Sequence, residues 1–531
     1  MPTDVKRPVS MALVDSQGTR LGKAVATRAA AADTRNDSGF ALVGNAELAF
    51  TSRMTLIKAA EKTLDLQYYA IHADDTTDRL FEALKQAAER GVRVRILLDD
   101  FNTAGKDAQV LKLAFEKNIE MRLFNPLPSN RSSAMWRIVS SLSDAARLQR
   151  RMHNKIFVAD NALAITGGRN LGDTYFGQSE GVNFVDIDVV AAGRIARDLS
   201  RSFDGYWNNP LAYPVQSLMS AKDIDALKPK PTTPAAGSAE NAPVTVAPEP
   251  TKADGNTLNK TTLTRVAVSP AGLTATIAAL PETTDLRLLT WTWAASTMLV
   301  DKPSKVAEDA DATEQSGDTA VDGLLSLMAR AKSELLVVSP YFVPGPEMMK
   351  QFQAIRNRGV RVRVLTNSLA SNDAIAAHAG YARYRQALIA MGVEMYEMRS
   401  EQRGTVSSFG SGSGSAGGSS GASRASLHAK AVVVDKALLV VGSMNLDLRS
   451  KLQNSEVAIA IRSRKLASEA VALIEPGMAT GAYKVEIKDG QLIWRAPAGS
   501  GLQNATSEPD ASLGLRLLVK IIGPFAPDEM L

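Results

Sequence analysis

The chain has 531 residues, with 61 Lys and Arg against 56 Asp and Glu, and it contains no cysteine. That length accommodates two or three domains with cores of their own, while the lack of cysteine excludes disulfides, thiolate metal sites, iron–sulfur clusters and cysteine nucleophiles. The formal net charge of +5 suits a phosphate-bearing partner without choosing between lipid and nucleic acid.

Residues 1–37 contain no uninterrupted apolar stretch, so they read as a flexible segment without a signal peptide. No part of the chain offers the roughly 18 consecutive apolar residues of a membrane-spanning helix. The run LDLQYYAI from Leu64 predicts a strand, DRLFEALKQAAE from Asp78 a helix, and RGVRVRIL from Arg90 a second strand. Together they spell a parallel β-α-β unit. The block HNKIFVADNALAITGGRN follows from His153, and then the strand-like FVDIDVV from Phe184. Residues 228–260, rich in Pro, Ala and Thr, cannot bury enough apolar surface to order themselves and read as a linker. Beyond them the same grammar returns as LLVVSPYFV from Leu335, PEMMKQFQAI from Pro346 and RGVRVRVL from Arg358. A Gly/Ser-rich loop, 408–426, precedes HAKAVVVDKALLVVGSMN from His428, and the strand EVAIAI opens at Glu456. The stretch Tyr483–Ala496 predicts a hairpin turning at Asp489-Gly490. Leu513–Ile522 predicts a short helix with Arg516 and Lys520 on one face, suited to a membrane interface or to packing on its own domain.

The chain is therefore an internal duplication, and the matching blocks carry chemistry. Each spells His-x-Lys-x-x-x-x-Asp and then Gly-(Gly/Ser)-x-Asn: His153, Lys155, Asp160, Gly168 and Asn170 in the first, His428, Lys430, Asp435, Ser443 and Asn445 in the second. On an extended chain the His and Lys of each block project to one side. An imidazole beside an ammonium makes a poor apolar core and a good phosphate site. One imidazole can attack phosphorus while the other protonates the leaving alkoxide and then activates the incoming alcohol or water; Lys and Asn stabilise charge on the phosphoryl oxygens. The scheme requires no metal and no cofactor. Only four histidines are present, and two of them occupy equivalent places in the repeat. Asp160 and Asp435 suit a structural ion pair or a turn cap. Glu456, and Asp186 or Asp188 in the equivalent first-half strand, suit the carboxylate that orients an imidazole.

At these residues the sequence resembles the phospholipase D superfamily, whose signature is the doubled HxKx4D followed by GGxN or GSxN. Within it the chain is most similar to bacterial cardiolipin synthases of the C type, through LDLQYYAIHAD, RGVRVRILLDDFNT, RRMHNK, DTYFG, LTNSLASNDAIAAHAGYARYR, SLHAK and GSMNLDLRS, over roughly residues 38–500.

That resemblance implies an α/β fold of two phospholipase D-like domains, 38–227 and 261–480, with mixed sheets flanked by helices, related by a pseudo-two-fold axis and sharing one site. Residues 481–531 follow as a C-terminal hairpin and interfacial helix. The implied reaction is a two-step transphosphatidylation: a phosphatidyl group passes to His153 as nucleophile, with His428 as acid and base, and then to phosphatidylglycerol. Tyr69, Asp373 and His378 fall in the similar segments and are expected either at the substrate headgroup or in structural hydrogen bonds. The expected partner is a phospholipid at the face of the bacterial inner membrane, reached peripherally; nucleic acid is not expected. Three other readings compete: a hydrolase making phosphatidic acid, a nuclease, and a catalytically silent membrane scaffold. Aromatic residues make up 5% of the chain, which disfavours the nuclease because single-strand binders interleave aromatics with basic residues; the two intact signatures disfavour the scaffold.

Overall fold

The computed structural model describes residues 1–32, 38–127, 145–226, 283–307, 319–400, 424–523 and 528. The expected linker at 228–260 and residues 408–423 of the Gly/Ser loop lie outside the described residues.

Among the described residues nine strands belong to the first half: β1 (Ser38–Val43), β2 (Thr63–Tyr68), β3 (Arg93–Asp99), β4 (Ile119–Phe124), β5 (Ile156–Ala159), β6 (Leu163–Gly167), β7 (Val182–Val185), β8 (Asp188–Gly193) and β9 (Ala212–Pro214). The second half contributes β10 (Thr292–Val300), β11 (Glu334–Val338), β12 (Phe342–Val343), β13 (Arg361–Asn367), β14 (Glu394–Met398), β15 (Arg424–Leu427), β16 (Ala431–Val434), β17 (Leu438–Gly442), β18 (Leu446–Asp447), β19 (Val457–Arg462), β20 (Ala482–Lys488) and β21 (Gln491–Arg495). Pairing gives the order β9-β4-β3-β2-β5-β6-β8-β1 in one half. In the other the order is β21-β20-β14-β13-β11-β16-β17-β19-β10. The central strands β2, β3 and β4 run parallel, as do β11, β13 and β14, and the remaining neighbours are antiparallel. Strands β1 and β10 then pair antiparallel, Gly39 opposite Trp293, so the two sheets meet edge to edge.

The repeated RGVRVR segment shows why the duplication folds twice the same way. Its glycine ends the preceding helix: Gly91 and Gly359 have φ of +92° and +79°, the left-handed conformation that glycine adopts without steric cost. The last arginine of each segment then reaches a helix on the other face of the sheet, Arg194–Trp207 in the first half and Arg464–Gly481 in the second. Arg95 is fully buried, held by Asp65 at 2.6 Å and Asp204 at 2.8 Å. Its counterpart Arg363 pairs with Glu475 at 2.8 Å.

One apolar core joins the halves: Phe40, Ile156, Val158 and Ile195 from the first pack with Leu336, Val433, Ile459 and Ile474 from the second. Burying this surface against the partner half makes their relative placement a property of the fold. A further cross-connection is β15, which pairs parallel with β7 of the first half.

Three expectations need correction. The segment at 1–37 is not loose over its described length. Pro8 and Ser10 carbonyls accept from the buried Arg122 and Arg95, the Ala12 amide donates to Asp204, and helix α1 (Arg20–Ala31) follows. The arginines on the sheet's outer face supply donors that this strand-like arm satisfies, a demand that its own polar composition does not announce. The hairpin expected at 483–496 forms, as β20 and β21, but it belongs to the second domain rather than following one that ends at 480, since β20 pairs with β14 and extends the second sheet. Residues 424–426, placed in the Gly/Ser loop, are part of β15.

Candidate active site

His153 and Lys155 lie on the extended segment entering β5, and His428 and Lys430 on the matching segment entering β16. The histidine and lysine sit just before the strand ladder rather than within it. Each lysine turns back, donating to the carbonyl of its own histidine residue: Lys155 to His153 at 2.8 Å and Lys430 to His428 at 2.5 Å.

Both imidazoles open into one cavity of about 520 Å³, together with Asn170 and Asn445. The halves exchange carboxylates across it. His153 Nδ1 lies 3.0 Å from both oxygens of Glu456, which belongs to the second half. His428 Nδ1 lies 2.7 Å from Asp186, which belongs to the first. Each carboxylate accepts the Nδ1 proton, which leaves Nε2 of each ring to face the cavity.

The residue between Gly and Asn in each block explains its own identity. A β-carbon at Gly168 would stand 2.3 Å from Asp186 Oδ1, a clash that glycine avoids. At the equivalent Ser443 the hydroxyl instead donates to Glu456 Oε2 and accepts from the Val457 amide. Ser450 donates to the other Glu456 oxygen at 3.0 Å. Burial pushes the Glu456 carboxyl up, but His153, Lys155 and the Ser443 hydroxyl together hold it below the usual carboxylate range. Burial likewise pushes the Asp186 carboxyl up, but His428, Lys430 and Arg169 outweigh it and hold the group below the usual carboxylate range.

The bases are tuned the other way. Burial pulls both imidazoles down to about 4, despite their carboxylates, so both are neutral near pH 7. Burial lowers Lys155 to about 7, with the charge of Lys430 adding to it, and burial lowers Lys430 to about 8, although acidic neighbours oppose both changes. A buried site with two cations at the edge of deprotonation gains stability from an arriving anion.

The remaining predicted residues separate cleanly. Tyr69 stands edge-on to His153 with ring centres 5.0 Å apart, and Asp373 lines the cavity and accepts from Tyr341 at 2.8 Å. His378 is not among the lining residues: it is buried in helix α2 (Ile375–Ala390), its Nε2 3.3 Å from Glu508 of the C-terminal tail. Asp160 and Asp435 are outside the cavity as well. Asp160 accepts from the amides of Glu61, Lys62 and Thr63, and Asp435 from those of Lys332, Ser333 and Glu334. Each ties the turn after its block to the start of β2 or β11. Asp188 serves Arg53 and Arg169.

Sequence reasoning did not single out Tyr175, Phe184, Tyr341, Asn102, Arg449 or Asn454, all of which line the cavity. Tyr175 and Phe184 flank His428, at 5.3 and 4.9 Å between ring centres. DTYFG and GSMNLDLRS carry two of these residues, but no periodicity marks them.

The family described as "Cardiolipin synthase, PLD-like domain" matches residues 54–207 and 324–475. This chain belongs to that family. Cardiolipin synthase C of Escherichia coli (strain K12) is 36% identical over 79% of this chain and 80% of its own length. An uncharacterized protein of Helicobacter pylori (strain J99 / ATCC 700824) is 30% identical over 88% of this chain and 85% of its own. Among solved structures, the phosphatidylserine synthase of Haemophilus influenzae Rd KW20 superposes with a TM-score of 0.55 at 11% identity. That match covers 95% of this chain and all of the other, a likeness of fold. Two matched segments with equivalent strand orders make the enzyme fold a duplicated phospholipase D-like α/β architecture.

Proposed function

We propose that this enzyme is a phosphatidyltransferase of the cardiolipin synthase kind, which moves a phosphatidyl group through a histidine to the hydroxyl of phosphatidylglycerol. The observation that carries this reading is the pair of imidazoles in one cavity, each held through Nδ1 by a carboxylate from the opposite half. Kinship with Cardiolipin synthase C supports the substrate class.

In the first step His428 takes up a proton at Nε2 as the anionic substrate fills the site; His153 Nε2 attacks phosphorus, forming a P–N bond as the P–O bond to the leaving alcohol breaks, and His428 delivers that proton to the departing oxygen. In the second, His428 takes the proton of the acceptor hydroxyl, whose oxygen displaces His153 and restores the free enzyme. Glu456 and Asp186 stabilise each ring as it gains positive charge. Lys155, Lys430, Asn170 and Asn445 supply donors to the non-bridging oxygens. If water enters second, the product is phosphatidic acid; the aromatic lining from Tyr69, Tyr175, Phe184 and Tyr341 favours a lipid alcohol over bulk water.

Peripheral membrane contact falls to helix α3 (Leu513–Ile522). It packs on α2, whose first turn lines the cavity, and it presents Leu513, Leu517, Leu518 and Ile521 to solvent with Arg516 and Lys520 along one edge. An apolar face with a basic rim fits an anionic lipid surface.

The deciding experiment is lipid mass spectrometry of phosphatidylglycerol vesicles incubated with purified protein. The wild type forms cardiolipin, while His153→Ala and His428→Ala each lose at least about a thousandfold in rate. Cardiolipin formation that survives either change removes the mechanism.

A further inference from the structure

Transfer between two phospholipids brings two phosphodiesters into one cavity, and the paired His, Lys and Asn sets account for only one of them. We propose that Arg449 holds the second, the phosphate of the lipid that accepts the phosphatidyl group. The assignment of an acceptor rests on the function proposed above; the anion subsite itself does not.

Arg449 is the only Lys or Arg among the described residues lining the cavity. It follows Asn445 by the same interval that separates Thr174 from Asn170, and Thr174 lines the cavity too. The duplication therefore places a neutral hydroxyl on one side and a cation on the other. The next residue, Ser450, donates to the Glu456 carboxylate that holds His153, so Arg449 belongs to the wall beside His153 and Tyr69.

Among the described residues the partly buried Arg449 side chain forms no salt bridge, and its Nε, sealed from water, has no hydrogen-bond partner. Asp447, two residues earlier, caps the Ser450 amide at 2.6 Å through one oxygen and lies within electrostatic reach of Arg449 without forming a salt bridge to it. The buried arginines Arg53, Arg95 and Arg385 are each matched by carboxylates, and Arg122 by the carbonyls of Trp207 and Pro8. A guanidinium withdrawn from water without such a partner is unfavourable until an anion completes it, and its planar fork fits two phosphate oxygens at once. Asn102 and Asn454 on the same cavity lining add neutral donors, and the acceptor's three-carbon glycerol is a flexible tether between the reacting hydroxyl and its own phosphate.

Calorimetric titration of the intact protein with glycerol 3-phosphate and with glycerol 1,3-bisphosphate tests the subsite without requiring turnover. Wild type should bind the bisphosphate about 10- to 100-fold more tightly, the range expected for one charge-assisted guanidinium contact. Arg449→Ala should abolish that preference, and Arg449→Lys should keep part of it. An absent preference in the wild type overturns the proposal. So does an equal loss for both probes in Arg449→Ala, which would place the arginine on the reacting phosphate or in the fold. Vesicle assays then separate the two readings: a lost bisphosphate preference in a protein that makes no cardiolipin leaves the subsite standing and removes the acceptor assignment.

Discussion

His153 and His428 sit in matched settings, each on the segment entering a strand, each followed by a lysine that turns back to its carbonyl, each anchored to a carboxylate of the other half. The walls around them are not matched. Tyr69 and Arg449 stand near the first imidazole, whereas Tyr175, Phe184 and the Asp373–Tyr341 pair stand near the second. In the proposed mechanism a symmetric floor supplies chemistry that runs in both directions, capture and release of one phosphoryl group. Asymmetric walls allow the ligands entering from the two sides to differ.

The most damaging test of the matched floor exchanges its carboxylates for amides. Glu456→Gln and Asp186→Asn should each lower the rate by about 10²- to 10⁴-fold, as expected when a base loses the partner that sets its tautomer. Rapid-quench kinetics should show Glu456→Gln slowing formation of the phosphohistidine at His153, and Asp186→Asn slowing its resolution through His428. If both variants slowed only one step, the crossed pairing would not divide the labour.

A smaller effect probes where the floor itself departs from symmetry. Gly168→Ser brings a β-carbon against Asp186 and should cost about 2 kcal/mol or more in chemical denaturation. Ser443→Gly, which only deletes hydrogen bonds to Glu456 and Val457, should cost about half as much. Equal losses would show that the two positions do not differ as the contacts require.

On the membrane side, Leu517→Glu with Ile521→Glu should weaken sedimentation with anionic vesicles by roughly tenfold or more while leaving hydrolysis of a soluble short-chain diester within about twofold. Unchanged vesicle binding would return α3 to an ordinary surface helix.

The subtlest effect is protonic. Burial depresses Lys155 to about 7, helped by the charge of Lys430, and burial alone, against its acidic neighbours, depresses Lys430 to about 8. A bound phosphate raises both, so binding near pH 8 should take up protons, by less than one to about one per site, and affinity should weaken as pH rises. Titration in two buffers of different ionisation enthalpy reads this directly; net proton release would contradict it. In the empty protein all four bases have folded values below their unfolded ones. Their stability contribution is therefore complete only above the unfolded values and is lost as pH falls: from about 10.5 to 7 for Lys155, from about 10.5 to 8 for Lys430, and from about 6.5 to 4 for the imidazoles.

The doubled motif, the β-α-β units and the residues of the floor were legible from sequence, because spacing along an extended chain and a glycine after a helix are local constraints that a repeat states twice. Glu456 and Asp186 were visible as candidate carboxylates, since each opens or follows an apolar strand after the motif. Their exchange between halves was not visible, nor was the place of His378 against Glu508, nor the strapping of Pro8–Ala12 onto Arg95 and Arg122. Arg449 was quoted within a similar segment, yet nothing local distinguished it from a surface arginine. Sequence by itself determined which groups exist, how they repeat and what reaction they can perform. Tertiary structure alone decided which carboxylate meets which imidazole and which cation is left unpaired, because those choices follow from β1 pairing with β10 and from one core shared by both halves, contacts between residues hundreds of positions apart that no local pattern encodes.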